Sequence, residues 1–302
     1  MSEPREPDDR DLREMMSRLE QEFHARPQPP ENRYTPPSPE DRYMPPSSGV
    51  PAPTPIVEEA YGAPRRVRLE LPLSQPRAIF VLLAINVIMY GISVLLGNQI
   101  GWNNALYVLG GKENDAINAG QWWRLLTPMV LHGNLTHLLF NSWALYALGT
   151  EAERVYGTLR FLTIYLLSGL AGSIASYVFN PDVLSVGASG AIFGLLGALA
   201  AFAFTARSFV GWEASKMQLG QMATLAAINL AFGFIVPNID NSAHIGGLII
   251  GGISGLALAP RYVIERRAYM PTVERRDMPL LGWVVAIVLL IGLVGWFLVA
   301  QP

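Results

Sequence analysis

The 302-residue sequence contains no cysteine. That excludes disulfide frameworks, Cys-ligated zinc and thiol nucleophiles. Charge is scarce as well: 15% of residues are charged and 51% are hydrophobic, against about 25% charged in a typical soluble domain. Neither sign is in excess, and a formal net charge of −2 gives no reason to expect nucleic acid as a partner. The opening residues MSEPREPDDR lack the apolar core of a signal peptide, and their acids argue against a transit peptide.

The little charge present is unevenly placed. Residues 1–70 hold 24 of the 46 charged side chains. A polar arm joined to a body whose solvent is largely lipid explains that split. We divide the chain into a cytoplasmic arm (1–77), a membrane body (78–260), a basic cytoplasmic linker (261–277) and a last span (278–302). In the arm, Asp9 to Phe23 could form a short mixed-charge helix with a thin apolar face. Residues 26–56 contain 11 of the 23 prolines and almost no large aliphatics, so they cannot bury enough surface to offset their ordering entropy and read as disordered. The repeat RYTPPS (33–38) and RYMPPS (42–47) reads as part of this linker; the alternative is a docking motif for a cytoplasmic partner that binds proline-rich peptides.

Beyond residue 77, seven stretches carry no charge: 78–111, 125–150, 161–181, 183–206, 217–239, 241–260 and 278–302. Each can supply the roughly 20 apolar residues of a spanning helix. The first helix is expected at 78–97 and the fifth at 219–236, with a long outer loop over 98–135 whose Trp102, Tyr107, Trp122 and Trp123 suit a membrane interface. Basic residues concentrate on alternate connections: Arg154 and Arg160, Arg207 and Lys216, and five arginines between 261 and 276, against only Lys112 and Arg124 on the others. This asymmetry predicts a cytoplasmic N-terminus and an outer C-terminus. The second, fourth and sixth spans then all start at the outer face.

Polar residues gather at those three starts: His132, His137 and Asn141; Gly187, Ala188, Ser189 and Gly190; Asp240 and His244. At 100° per residue, His137 and Asn141 share one helix face. Gly247, Gly251 and Gly255 fall on the face of His244, and Gly190, Gly194 and Gly197 form a second smooth stripe beside Ser189. Small-xxx-small faces let two backbones approach closely, which would bring Ser189 towards His244. Taken singly, each feature has a plain structural reading as helix packing, carbonyl back-bonding or interhelical glue. Together, at one depth, they point to chemistry. A serine hydroxyl needs a base to accept its proton, a neutral histidine suits that role, and the tetrahedral intermediate needs donors. His137, Asn141 and the backbone N–H of Ser189 offer them. No acid lies within the span near His244, so a Ser–His dyad is expected, with Asp240 as loop polarity. No metal or cofactor is implied.

These residues resemble the rhomboid family of intramembrane serine proteases. The likeness covers roughly 78–260 and rests on an ordered set: Trp123-Arg124, H-x₄-H-x₃-N at His132, His137 and Asn141, E-x₃-G at Glu153 and Gly157, Gly187-Ala-Ser189-Gly190, and Ala243-His244-x-Gly-Gly247. It implies an all-α polytopic membrane protein, a six-helix bundle plus a seventh C-terminal helix. Ser189 would be the nucleophile and His244 the base; His137 and Asn141 would be oxyanion groups and His132 a structural neighbour. Glu153 and Arg124 would be scaffold, and the fifth helix would be the lateral gate. Substrates would be transmembrane proteins cut in or near a membrane helix. The N-in topology and the absence of a targeting segment favour a bacterial plasma membrane over an organelle. Many members carry Tyr four residues after the serine, where this chain has Phe193. At +4 its ring can still face the dyad and stack on His244 without a phenolic hydrogen bond. The alternatives are an inactive relative that binds membrane proteins, which typically lacks the Ser or the His, and a transporter, for which no inverted repeat is visible.

Overall fold

A computed structural model describes residues 73–236, 239–266, 271–276 and 280–302. The helix expected at Asp9 to Phe23, the proline-rich stretch and its repeat lie outside these residues. In chain order the described helices are α1 (Ala78–Ile100), α2 (Trp102–Val108), α3 (Asn114–Asn118), α4 (Leu135–Tyr156), α5 (Thr158–Phe179), α6 (Ser189–Thr205), α7 (Arg207–Val210), α8 (Trp212–Ile235), α9 (Asn241–Leu258) and α10 (Leu280–Ala300). Two 3₁₀ turns, Trp122–Leu125 and Thr127–Val130, precede α4. A two-stranded antiparallel ribbon, β1 (Arg261–Arg266) and β2 (Pro271–Arg276), separates α9 from α10.

The fold is all-α and polytopic, with α1, α5, α8, α9 and α10 long and apolar enough to cross a membrane by length and composition. Two further helices stand where the sequence reading expected spans, outside these five. The 22-residue α4 carries Glu151, Glu153 and Arg154 near its end. The 17-residue α6 is shorter, reaching about 25 Å at 1.5 Å per residue.

The turns follow from local chemistry. Asn134 caps α4, its side-chain oxygen accepting from the N–H of His137 at 2.8 Å. That cap sets the start of α4 at Leu135 and leaves His132 in the preceding turn rather than in the helix. Gly157, at φ 81, reverses the chain directly from α4 into α5. One turn earlier, the Glu153 carboxylate accepts from the N–H groups of Ala78 (3.0 Å) and Ile79 (2.9 Å) and from the Thr158 hydroxyl (2.7 Å). A single buried acid thereby caps α1 and ties it to α4 and α5.

The α6–α9 contact is backbone on backbone. A Cβ on Gly247 would meet the backbone of Gly190, one on Gly251 that of Gly194, and one on Gly255 the Cα of Ala198 at 2.6 Å. Gly197 faces the next turn of α9, where a Cβ would lie 2.8 Å from the N of Gly252. The two glycine stripes thus interlock in the manner their spacing predicts. At the far end of this seam the buried Tyr156 hydroxyl donates to the Ala198 carbonyl at 2.7 Å and lies 3.1 Å from that of Gly255. Helix α10 packs on α5 and α9. Its Phe297 ring meets Tyr177 edge-on at 5.4 Å and Trp122 at 6.3 Å.

Three features differ from the sequence reading. The long loop before α4 contains α2, α3 and both 3₁₀ turns. Helix α8 begins at Trp212, because Glu213 and Lys216 extend it rather than interrupt it. The basic segment after α9 is a ribbon whose Arg275 donates to the carbonyls of Val155 (3.2 Å) and Tyr156 (2.6 Å), so a cation satisfies the carbonyl end of α4.

Candidate active site

Helices α4, α6 and α9 start at one end of the bundle, and their first turns meet there. Ser189 is the first residue of α6 and half-buried. His244 lies in the first turn of α9 and is 7% exposed. His244 Nε2 stands 2.9 Å from Ser189 Oγ, within reach for proton transfer. The contact exists because the glycine seam leaves no side chains between the helices that carry the two groups. Phe193, one turn into α6, lies flat on the imidazole with centroids 4.3 Å apart and planes 9° apart. No described group hydrogen-bonds His244 Nδ1, so the stack and the helix orient the ring.

Asp240 does not touch the imidazole. Its carboxylate accepts from the N–H of Ala243 (3.2 Å) and from the Asn180 side chain (3.2 Å). It is the N-cap of α9 rather than plain loop polarity, and among the described residues no third member aligns behind the histidine.

His137 and Asn141, one turn apart on α4, face the same space. Gly187 sits opposite at φ 133, its N–H donating to the Pro128 carbonyl at 2.9 Å. A Cβ there would lie 2.7 Å from His137 Nε2 and 3.4 Å from Asn141 Nδ2. Glycine is therefore needed twice, for its φ and for the room it leaves beside two side-chain nitrogens. The Asn141 Nδ2 is buried with no partner among the described residues. No side chain caps the first turn of α6, so the backbone N–H groups around Ser189 remain available as donors. Fully buried His132 meets His137 edge-on, ring centroids 5.3 Å apart, and wedges it from behind. Among the described residues, no three of His, Asp and Glu gather as a set of metal donors.

Arg124, 3% exposed, donates to Gln121 Oε1 and to the carbonyls of Tyr107 and Gly111, each at 2.8 Å, and lies over the Tyr107 ring. It organises the loop before α4. Trp102 donates to the Gly133 carbonyl at 2.6 Å, while Tyr107, Trp122 and Trp123 stay exposed. The sequence reading gave Lys112 no part in the site. Lys112 is fully buried; its ammonium donates to the carbonyls of Asn180 (2.7 Å) and Val183 (3.2 Å), and its backbone pairs with Ser185. It binds the segment that leads into Ser189. Through Asn180 the same network reaches Asp240 and the start of the His244 helix. Burial lowers its pKa to about 8, with Asp240, Glu113 and Asp182 opposing the shift.

The chain is similar to known rhomboid proteins. The Rhomboid domain matches residues 119–261. The rhomboid protease GluP of Bacillus subtilis is 47% identical over 188 residues, covering 61% of this chain and 35% of that protein. The rhomboid protein YdcA of the same organism is 43% identical over 139 residues, covering 46% of this chain and 68% of its own length. RHOMBOID-like protein 2 of Arabidopsis thaliana is 38% identical over 204 residues, 66% of this chain and 62% of that protein. The matched region thus spans about a third of GluP and about two thirds of YdcA.

Proposed function

The chain belongs to the rhomboid family, and from that premise we propose that it is an intramembrane serine endopeptidase hydrolysing peptide bonds in or near transmembrane segments of other proteins. The 2.9 Å approach of His244 Nε2 to Ser189 Oγ carries the proposal. In this reading Ser189 Oγ attacks the scissile carbonyl carbon as His244 takes its proton. The oxyanion is stabilised by Asn141 Nδ2, His137 and the backbone N–H of Ser189. His244 returns the proton to the departing amine, and water then hydrolyses the acyl-enzyme by the same route in reverse. His132 and Gly187 shape the oxyanion side; Phe193 steadies the base. The unpartnered Asn141 nitrogen and the uncapped first turn of α6 support this division of roles.

The apolar helices make the chain an integral membrane protein, and its partners on this reading are lipid and transmembrane protein substrates. The distribution of arginines supports a cytoplasmic N-terminus with the site opening at the opposite, outer face of the membrane, which we propose is a bacterial plasma membrane. The substrate helix arrives past α8, of which only Ser215 is buried. On this reading residues 1–77 are an arm outside the chemistry, and removing residues 1–60 should leave cleavage intact.

The test is cleavage of a single-span substrate in liposomes together with labelling by a fluorophosphonate. Wild type should do both; Ser189→Ala and His244→Ala should fold and do neither. Cleavage by either variant overturns the dyad, and a folded wild type inert in both assays favours a non-catalytic binder.

A further inference from the structure

Helix α8 is held unevenly. Towards its start Ser215 is buried and Met222 packs on the core that includes Tyr156 and Leu199. At the site end Ile228, Phe232, Phe234 and Ile235 are all exposed. Among the described residues, a polar side chain of α9 reaches that end. Asn241, the first residue of α9 and 9% exposed, donates from Nδ2 to the Leu230 carbonyl at 3.1 Å. Gly233, one turn beyond Leu230 on α8, gives the carboxamide room: a Cβ there would stand 2.8 Å from Asn241 Cγ and 2.9 Å from Ile239 Cγ2.

We infer that Asn241 is a latch, a positioning residue that holds the site end of α8 against the first turn of the His244 helix. The inference rests on the proposed proteolytic function only for its consequence, not for the latch itself. A buried amide in an apolar setting keeps a hydrogen bond firmly, because water does not compete for it. Yet it is a single bond, so a substrate helix that makes its own contacts with α8 can replace it. Asn241 also sits three residues before His244. Displacing α8 therefore changes the surroundings of the turn that carries the base, and the arrival of substrate is felt where the chemistry starts.

Two substitutions approach the latch from opposite sides. Asn241→Leu nearly keeps the shape but removes the donor. Gly233→Ala inserts a methyl where the carboxamide lies. Each should free the site end of α8, and because both break one contact, the double variant should show no more than the larger single effect. Since the chain has no cysteine, spin labels at Phe234→Cys and Leu139→Cys report the α8–α4 distance in nanodiscs without background. We expect a longer and broader distance distribution in each variant than in the labelled parent. In unlabelled protein, KM for a single-span substrate should fall severalfold, with fluorophosphonate labelling from the aqueous side unchanged. Unaltered distances in both variants overturn the latch, as does a fall in kcat at constant KM. If the parent neither cleaves nor labels, the proteolytic reading fails, and the distance measurement still decides the latch.

Discussion

The Phe193 ring covers one face of the His244 imidazole, 4.3 Å away and nearly coplanar. With no described hydrogen bond at Nδ1, this contact does the orienting that an acid would do in a triad. An aromatic contact of this kind is worth roughly 0.5–1.5 kcal/mol. Phe193→Ala should lower kcat by up to about tenfold and leave KM nearly unchanged. Phe193→Tyr should keep most of the rate. Steady-state kinetics in liposomes reads both, and an unaffected kcat in Phe193→Ala would show that α9 alone fixes the ring.

Lys112 makes stability depend on pH in a stated direction. Its pKa falls from 10.5 to about 8 on burial, so the folded state binds that proton less well than the unfolded state. The destabilisation is full below pH 8 and disappears as pH rises towards 10.5. In detergent, the melting temperature of wild type relative to Lys112→Met should therefore climb between about pH 8 and about pH 10. A flat difference across that window refutes the assignment.

The glycine seam separates two adjacent positions sharply. On Gly251 a methyl would run into the backbone of Gly194; on Gly252 the nearest atom, the Gly197 carbonyl oxygen, is 3.9 Å away. Gly251→Ala should melt several degrees lower and lose most activity. Gly252→Ala should match or exceed wild type in stability, since alanine is the better helix former by about 1 kcal/mol. Equal losses at both sites would mean that the helices touch in a different register.

Tyr156 tests the far end of the same seam. Its hydroxyl bridges the carbonyls of Ala198 and Gly255. Tyr156→Phe leaves the ring packed and both carbonyls without this donor, at a cost of about 1 kcal/mol. Thermal unfolding should shift down while KM holds. A larger loss of cleavage than of stability would reveal coupling along the seam to the dyad.

The parts legible in the sequence are those set by short-range periodicity. The stripes Gly190, Gly194 and Gly247, Gly251, Gly255 repeat at helical spacing, so the pairing of α6 with α9 and the meeting of Ser189 with His244 could be anticipated. The +4 offset likewise anticipates the stack of Phe193. What was not legible depends on distant partners. Lys112 lies between Gly111 and Glu113 and reads as a solvated loop charge; only the carbonyls of Asn180 and Val183, 68 and 71 residues away, make it a buried tie. The strands at 261–266 and 271–276 read as a charged linker because their arginines mask the pairing, and Arg275 gains its purpose from the end of α4. Asn241 gives no local sign that its partner is Leu230. Asp240 reads as loop polarity until the N–H of Ala243 is seen to need it.

A contact made of backbone has no rotamers to exchange. Where Gly247 and Gly251 press on Gly190 and Gly194, α6 and α9 can neither slide nor compress without collision, and they behave as one solid piece. Bilayers of different thickness impose tilts on the helices they surround. Here such a load falls first on α8, whose site end is tied to α9 by the Asn241 side chain, before it reaches the solid pair. The distance between Ser189 and His244 should then stay constant from thin membranes to thick ones, while the position of α8 varies with the lipid.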